Sequence, residues 1–431
     1  MFMRAPGALF LVWSTWLLSA APARAQQPLE EFLAAGRVRA LDLREAELNR
    51  EIARSQIDEA RARWLPSFVA SGGYTRNEVA VVVTIPGGSQ ATITPLDQAD
   101  LTLQLNVPVI DVGAWLSFAS AEAGADAGER RVQSVRAETD LAVATAYHQV
   151  VSTRALRDAA MRGRAAAEAS LARARARFES QLASDLEVAR AEAELARTEQ
   201  QIADAELQVA LAERALKALT GLAVGAERAS VPPDDLVEPV ALARSGELDT
   251  LAEVGAADED VRAARLARDA SLAALAPTVS AFARERITNA AGFGPGAVWA
   301  IGIQASLTLD FARPAQVGTR ERQLELAALR RERSLENART RALEARARLV
   351  GSIARTRAAR AQEHAAQRAR DVAVARHESE LATQLDVLTA ERELVSAEGA
   401  RIQAEGDLVV ARLAYRVRTT GAIDASDGGG R

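Results

Sequence analysis

The chain of 431 residues has no cysteine, a single lysine (Lys217) and few aromatic residues. The lack of cysteine excludes a disulfide framework, a thiolate zinc site, a cysteine nucleophile and a lipid-modified cysteine. Aromatic residues make up 4% of the chain, and alanine supplies much of the 48% hydrophobic share, which favours helices over a dense core. The net charge of -5 offers no basic surface for nucleic acid, so we expect no nucleic-acid partner.

Residue patterns typical of catalytic or metal sites are also scarce. The three histidines, His148, His364 and His377, form neither an i, i+4 pair nor an HExxH arrangement. The sequence has no G-x-S-x-G elbow and no P-loop. The glycine-rich segment at residues 292–296 carries a proline where a phosphate-binding loop would need an N–H donor. We therefore expect no enzyme, no bound metal and no cofactor.

The first 25 residues have the organisation of a secretory signal peptide. Arg4 supplies a positive charge, residues 8–20 form a short apolar run, and Ala23-Arg24-Ala25 fits the small-x-small cleavage rule. The run is too short to span a bilayer comfortably, which favours a cleaved signal over an uncleaved anchor. No later run of 18 apolar residues follows, so any entry into a membrane is expected to use β-strands.

The rest of the chain is a duplicated unit. Residues 177–195 and 376–394 are identical at 11 of 19 positions with a constant offset of 199, and the similarity continues to Gly221 and Gly421. So long a period indicates gene duplication and pseudo-symmetry rather than a solenoid. We predict a first structural repeat at residues 26–225, a Pro-rich join at 226–240, a second repeat at 241–421 and a flexible tail at 422–431.

Each repeat is predicted to begin with a helix of moderate length, followed by two strands around a turn. Prolines end the two helices, which are expected at residues 41–64 and 258–275. Alternation of polar and apolar residues and turn signals place the strands at 67–83 and 100–109 around 85–89, and at 278–287 and 298–309 around 292–296.

Two long helical legs follow the strands in each repeat. In the first repeat one leg runs from Gly113 to about Gln181, roughly 100 Å at 1.5 Å per residue, and the other returns from about Ser184 to Leu219. Apolar residues at every seventh position of the returning legs predict coiled-coil packing with a left-handed supercoil. These residues are Val188, Leu195, Ile202, Val209 and Leu216 in the first repeat, and Leu381, Leu388, Val395, Ile402 and Val409 in the second.

Four strands per chain are too few to close a wall in lipid. Nine of the 13 aromatic residues after residue 25 lie in or beside the predicted strands, as in the aromatic girdles of membrane barrels. Because an open sheet edge cannot lie in lipid, several chains must share one barrel. Two copies would supply eight strands and three copies twelve, and the long helices would continue the wall as a tube. Such a tube is a conduit rather than a catalyst.

The order of these segments resembles the TolC-like outer-membrane efflux family over residues 26–421. The resemblance rests on Leu65-Pro66-Ser67, on residues 107–113 and on the motifs at 177–195 and 376–394. It implies a mainly α fold with a β part, in which antiparallel coiled-coil helices form an α-barrel and four strands per chain join a shared 12-stranded transmembrane β-barrel. It also implies a homotrimer in outer-membrane lipid with a long periplasmic extension. Such a trimer is a passive exit duct that docks on a periplasmic adaptor protein and an inner-membrane pump.

The same resemblance locates the helical tips. Family members have R-Y-x-x-G-x-x-S/T-x-x-D-V-L there, and in this chain Gln181 and Glu380 occupy the glycine position, while Phe178 and His377 occupy the tyrosine position. The tips are implied to contact the adaptor, and small residues there would allow partner helices to approach closely. The candidate docking residues are Leu182, Ala183, Ser184, Leu381, Ala382 and Thr383.

A gate at the tip is implied in the same way. Asp386 matches an acidic position of the family, and threefold symmetry would turn it into a ring of three carboxylates that attracts cations and narrows the passage. Thr389 stands where the family often has a second acid. A solvated surface aspartate is the alternative interpretation of Asp386.

Two other classes of protein share the long helices. A periplasmic adaptor also carries a coiled-coil hairpin, but the duplication and the two strand pairs per chain argue against it. An exported coiled-coil scaffold without a pore would not need alternating strands with aromatic flanks. We therefore predict an outer-membrane exit duct of an efflux or secretion system.

Overall fold

The computed structural model describes residues 29–84, 86–88, 90–225, 234–239, 245–308 and 310–423. The predicted signal peptide lies outside the described residues, as do much of the predicted join and all but two residues of the predicted tail. Within the described part, no helix combines the length and the apolar character needed to cross a membrane.

Helices dominate the described residues, and two of them are very long. They are α1 (Leu29–Arg39), α2 (Leu41–Ala62), α3 (Val112–Glu179), α4 (Asp185–Thr220), α5 (Ala252–Ala273), α6 (Ala312–Glu378) and α7 (Gln384–Thr420), with a short 3-10 helix at Ser245–Thr250. The 68 residues of α3 and the 67 of α6 correspond to roughly 100 Å each. The two predicted legs of the first repeat are confirmed as α3 and α4.

The duplication is visible in the order and endings of the elements. Both returning helices end on a left-handed glycine, Gly221 with φ 77° after α4 and Gly421 with φ 76° after α7. The predicted moderate helices are α2 and α5, although α5 begins at Ala252 rather than Asp258. The sequence patterns did not distinguish α1, which precedes α2 in the first half.

Six strands accompany the helices in the described part of the chain. They are β1 (Ser67–Arg76), β2 (Val81–Thr84), β3 (Gln90–Thr94), β4 (Asp97–Ile110), β5 (Thr278–Thr288) and β6 (Ala297–Ser306). Four of them form one antiparallel sheet in the order β1-β4-β5-β6, and β2 pairs only with β3. The four strands predicted per chain are therefore one continuous sheet in which β4 joins the two halves.

The strand predicted at 67–83 is wrong in its second half. The main strand ends at Arg76, where Asn77 N–H donates to Leu96 O at 2.7 Å and the Asn77 side chain donates to Pro95 O at 2.8 Å. These bonds turn the backbone out of the sheet and allow β2 and β3 to form a separate hairpin. Its tip includes Gly87, so the predicted turn at 85–89 closes this extra hairpin, although Ile85 and Ser89 lie outside the described residues. In the second half β6 ends at Ser306, before the predicted end at Leu309, which is also outside them.

The helices lie side by side in the same order as the strands to which they connect. Helix α3 packs against α2 on one side and α5 on the other, and α6 packs against α5. Toward the tips α4 takes the place of α2 beside α3, and α7 packs against both α3 and α6. The order α2-α3-α5-α6 thus follows β1-β4-β5-β6, which leaves α2, α4 and β1 at one edge of the chain and α6 and β6 at the other.

The buried side chains form small clusters along the helices instead of one central core. One cluster joins Phe32 of α1, Val143 and Tyr147 of α3 and Leu216 of α4, with the two rings 5.5 Å apart. Small residues permit close helix contact elsewhere: a β-carbon on Gly406 of α7 would lie 2.1 Å from Ser152 Oγ of α3. The alanine-rich composition therefore serves close packing between helices.

The predicted seven-residue seam is observed with one exception. All five seam residues of α4 are buried or half-buried. In the second repeat Leu388 and Ile402 are buried, whereas Leu381 is exposed because it lies in the turn before α7 begins. The seam of α7 therefore begins at Leu388, and the assignment of Leu381 to it is wrong.

Candidate functional site

The two helical hairpins turn in the same way at their tips. In the first hairpin Leu182 N–H donates to Arg177 O at 2.8 Å, and Gln181 N–H donates to the carbonyl three residues earlier at 2.9 Å. The second hairpin repeats both bonds at 2.8 and 3.0 Å, with Glu380 in the place of Gln181. This pair of bonds is a Schellman motif, which closes a helix through one residue of left-handed conformation.

Gln181 and Glu380 are the left-handed residues of these turns, with φ of 60° and 61°. They stand where the resemblance implies a glycine, which alone adopts this conformation without a steric cost from Cβ. The two departures from the family pattern therefore leave the turn intact and add a strain of about 1 kcal/mol each. The sequence predicted the positions of both tips correctly.

The second tip carries a cap that the first tip lacks. Asp386 Oδ2 accepts from Thr383 N–H at 2.8 Å and from the Thr383 hydroxyl at 2.7 Å, and Asp386 N–H donates back to Thr383 Oγ1 at 3.3 Å. This is a capping box at the start of α7. Hydrogen bonds from the Thr383 hydroxyl and N–H lower the pKa of Asp386 below its ordinary value. Asp386 is thus exposed and ionised at neutral pH, and it also caps α7.

The candidate docking residues lie together in the turns. Leu182 and Leu381 are 69% and 79% exposed, which is unusual for leucine and leaves an apolar side chain at the end of each hairpin. Ala183 and Ala382 beside them are half-buried, and Ser184 and Thr383 are exposed. Their role in adaptor docking stays a prediction.

Thr389 lies one turn after Asp386 on the same helix. Its side chain is exposed, and the hydroxyl donates to Leu385 O of its own helix at 2.8 Å. It adds no charge to Asp386 and makes no bond to another helix among the described residues. As a gate residue Thr389 also stays a prediction.

Polar contacts hold the two hairpins against each other just behind the tips. Gln384 Nε2, at the start of α7, donates to Ser170 Oγ of α3 at 3.0 Å in a buried position. Deeper in the bundle Arg392 of α7 donates to Glu194 of α4, which is 5% exposed. Arg197 also donates to Glu194, at 2.6 Å. The sequence patterns did not identify this group, because its acidic and basic members look like ordinary coiled-coil flanks.

Two glutamates of this region, the buried Glu194 and the half-buried Glu391, have pKa values displaced in opposite directions. Burial alone would raise the pKa of Glu194, but hydrogen bonds from Arg197 and Arg392 outweigh it, so its pKa is lowered. Burial raises the pKa of Glu391, whose neighbour Arg173 lies 3.7 Å away and compensates only in part. Both line a cleft of about 500 Å³ between α3, α4, α6 and α7.

The four-stranded sheet has two chemically different faces. One cross-strand row places Phe68, Leu105, Ala283 and Ile301 on the same face, and the next row on that face contains Ala70, Leu103, Glu285 and Trp299. Trp299, Ile301 and Ile303 on β6 are each more than 70% exposed. The opposite face presents mainly small and polar side chains, in rows such as Ser71-Thr102-Arg286 and Val69-Gln104-Arg284-Ala300. The alternation predicted at residues 100–107 is therefore observed in β4, whereas the segment predicted to alternate at 305–309 lies mostly beyond the end of β6 at Ser306.

Aromatic residues mark the junction between the sheet and the helices. Trp64, after α2, packs against Phe118 of α3 with ring centroids 4.8 Å apart. Phe311, before α6, is almost fully exposed. At the far end of the sheet the Tyr74 hydroxyl donates to Asp97 Oδ1 at 2.6 Å. Amphipathic aromatic side chains thus lie near both ends of the strands, as at membrane interfaces.

The described residues contain no group of three or more His, Asp or Glu side chains that could hold a metal ion.

The chain matches the family model for outer membrane efflux proteins at residues 35–222 and 247–416. It belongs to the outer membrane efflux protein family. The two matched segments contain the two hairpins, and the mainly α fold with internal duplication is that of the TolC-like channels.

Solved structures of this family have the same fold. A structure of CusC, described as forming a transmembrane channel, superposes with a TM-score of 0.76 at 18% identity, covering 92% of each chain. The outer membrane protein VceC of Vibrio cholerae has a TM-score of 0.72 at 20% identity, covering 92% of this chain and 97% of its own. The MtrE outer membrane channel of Neisseria gonorrhoeae, in its open state, has a TM-score of 0.72 at 20% identity, covering 92% and 90%. No curated protein sequence matches the chain.

Proposed function

We propose that three copies of this chain assemble into a passive exit duct in the outer membrane of a tripartite efflux or secretion system. The observation that carries the proposal is the sheet β1-β4-β5-β6, which has two unpaired edges and one mainly apolar face on which Glu285 is the exception in the central rows. An edge strand with free N–H and C=O groups needs a partner in lipid. Pairing β6 of one copy with β1 of the next supplies that partner at every edge, and three copies bring twelve strands.

The helical edges support the same assembly. At the edge formed by α2 and α4, several apolar side chains are more than half exposed, and so are leucines on α6 at the opposite edge. They are Leu48, Ile52, Leu207 and Leu211 on the first edge, and Leu329 and Leu343 on the second. Because these are the edges that also carry β1 and β6, one arrangement buries the apolar helix residues and pairs the strands.

The faces of the sheet then determine which side meets lipid. Strands of membrane barrels alternate between apolar residues toward lipid and polar residues toward the lumen. We assign the face with Leu105, Trp299 and Ile301 to lipid and the face with Gln104 and Ala300 to the lumen. The long helices extend the lumen on the periplasmic side.

The tips form the periplasmic end of the duct in this proposal. Exposed Leu182 and Leu381 offer two similar apolar contacts per chain, with small residues beside them, to a helical adaptor that links the duct to an inner-membrane pump. Asp386 supplies one carboxylate per chain to a ring at the closed tip. Since the same carboxylate caps α7, opening the tip must either keep the capping box or move it as one body with α7.

Cysteine substitution tests the duct and its orientation, because the chain has no other cysteine. Ala300→Cys and Ile301→Cys are adjacent on β6 but lie on opposite faces. The purified trimers should conduct in planar bilayers, and a membrane-impermeant charged thiosulfonate should reduce the conductance of A300C and leave I301C unchanged. A protein that fractionates as a soluble monomer, or channels whose conductance responds only at position 301, would refute the proposal.

A further inference from the structure

Three charged residues lie on the polar face of the sheet among the residues that the structure describes. They are Asp100 of β4 and Arg284 and Arg286 of β5, by the register of the strands. Arg286 Nη2 donates to Asp100 Oδ1 at 2.9 Å, and this pair cancels in charge. Glu285 belongs to the opposite face, in the row of Leu103 and Trp299.

Arg284 is the charge that remains. Its neighbours across the strands are Gln104 and Ala300, both uncharged, and no carboxylate among the described residues lies within ion-pair distance of it. Its guanidinium carbon lies 6.0 Å from the centre of the Phe282 ring. The polar face of each chain therefore carries a net charge of about +1 from its strands.

The neighbouring side chains keep this charge at the sheet. The Phe282 ring covers Gly302 on β6, where a β-carbon would lie 3.0 Å from the ring. A guanidinium within about 6 Å of an aromatic centroid is attracted to the ring, and this attraction limits the positions that it samples. Glycine at 302 thus makes room for the aromatic ring on which Arg284 rests.

We propose that Arg284 is a specificity-determining residue that makes the strand section of the duct prefer anionic solutes. This inference rests on the proposed trimeric duct, because only the closed assembly brings three copies of Arg284 around one lumen. The solutes favoured are of the carboxylate, phosphate or sulfonate class, which a guanidinium binds in a charge-assisted manner.

The size of the lumen makes the effect measurable. Twelve strands about 4.8 Å apart and tilted by about 40° enclose a backbone radius of about 12 Å. Because Arg284 rests on the Phe282 ring, its charge stays near the wall, about 9 Å from the axis and close to the Debye length of about 8 Å at physiological ionic strength. Three such charges raise the concentration of a monovalent anion on the axis about twofold.

The test is the reversal potential of single channels in a potassium chloride gradient. Arg284→Gln should lower the chloride-to-potassium permeability ratio at least about twofold relative to the parent protein, and Arg284→Lys should keep it. Asp100→Asn should raise the ratio because it frees Arg286. The matched control is Asp100→Asn combined with Arg286→Gln, which removes a neutral pair and should leave the ratio unchanged.

The outcomes separate this inference from the proposed duct. If the parent conducts and R284Q leaves the permeability ratio unchanged, Arg284 does not set selectivity, although the duct stands. An equal fall in the ratio for R284K would also overturn it, since the charge would then not be the cause. If no variant and no parent sample forms channels, the proposed function itself fails.

Discussion

The two helical tips close through the same turn, but their returning helices begin differently. Ser184 and Thr383 have nearly equal backbone angles, with φ and ψ of -89° and 156° against -83° and 160°. Ser184 makes no capping bond with its side chain, whereas Thr383 shares a capping box with Asp386. The duplicated backbone has been kept, and the difference between the tips lies in side chains alone.

This difference makes the second tip the better capped of the two. The residue equivalent to Asp386 in the first tip is Glu187, which donates through its backbone N–H to Ser184 O at 3.0 Å. The longer glutamate makes no side-chain bond to the cap there. The lowered pKa of Asp386 follows from these capping bonds, and its role in the passage stays a prediction.

The largest effect on stability is expected at Glu194, which links the two hairpins through hydrogen bonds. Glu194→Leu leaves Arg392 and Arg197 without their shared acceptor and should lower the free energy of unfolding by about 2 kcal/mol. The matched control is Glu192→Leu on the same helix, whose pair with Arg175 is exposed and should contribute less than about 0.5 kcal/mol. Thermal unfolding followed by circular dichroism measures both.

The contribution of Glu194 and its two arginine partners to stability should depend on pH in a defined direction. Because the folded pKa of Glu194 is lowered, its stabilisation is complete above the ordinary glutamate pKa of about 4.3 and is lost as the pH falls through the folded value. The difference in free energy of unfolding between the parent protein and E194L should therefore become smaller as the pH is lowered. If this difference did not change with pH, the leucine would act through packing and not through the lost charge.

The next effect tests the difference between the caps directly. Thr383→Ala removes the side-chain half of the capping box and should lower the free energy of unfolding by about 1 kcal/mol. Ser184→Ala should leave the free energy of unfolding almost unchanged. Loss of the hydroxyl should also raise the Asp386 pKa toward its ordinary value. Melting temperatures give the first result and carboxylate titration by NMR of labelled aspartate gives the second. Equal losses in the two variants would contradict the asymmetry of the tips.

A smaller increase in stability is expected from relieving the left-handed backbone conformation that both tips share. Gln181→Gly and Glu380→Gly restore a residue that adopts positive φ without strain, and each should raise stability by about 0.5–1 kcal/mol. Because the turns have the same geometry, the two gains should be similar and should add in the double variant. A gain at one tip only would show that the turns are not equivalent in solution.

The sequence predicted what is periodic in this fold. Heptad positions such as Leu195 and Leu388 located the returning helices, and alternation at residues 100–107 located β4. These signals depend on which face of an element is buried, and that information is local in the sequence. The long helices and β4 therefore agree with the prediction.

The sequence did not predict the features that depend on single side chains in three dimensions. The break at Asn77 depends on bonds to Pro95 and Leu96 across a hairpin, so alternation alone extended that strand too far. The local sequence around Glu194 does not distinguish it from the many exposed glutamates of the chain. Glu194 becomes buried only because α4 and α7 pack together. The capping role of Asp386 follows a recognisable T-x-x-D pattern, but resemblance to the family directed attention to its charge instead.

The smallest structural effect and the clearest functional one are expected at the candidate gate. Asp386→Asn keeps an acceptor for Thr383 and should change the melting temperature little, but it removes three charges from the closed tip of the proposed trimer. Single-channel conductance should rise and block by divalent cations should weaken.

Thr383→Ala separates the capping role of Asp386 from its charge, because it disturbs the cap and leaves the carboxylate in place. Thr389→Ala should change neither property, since its hydroxyl bonds only within its own helix. If T383A altered conductance as strongly as D386N, the cap and not the charge would control the passage.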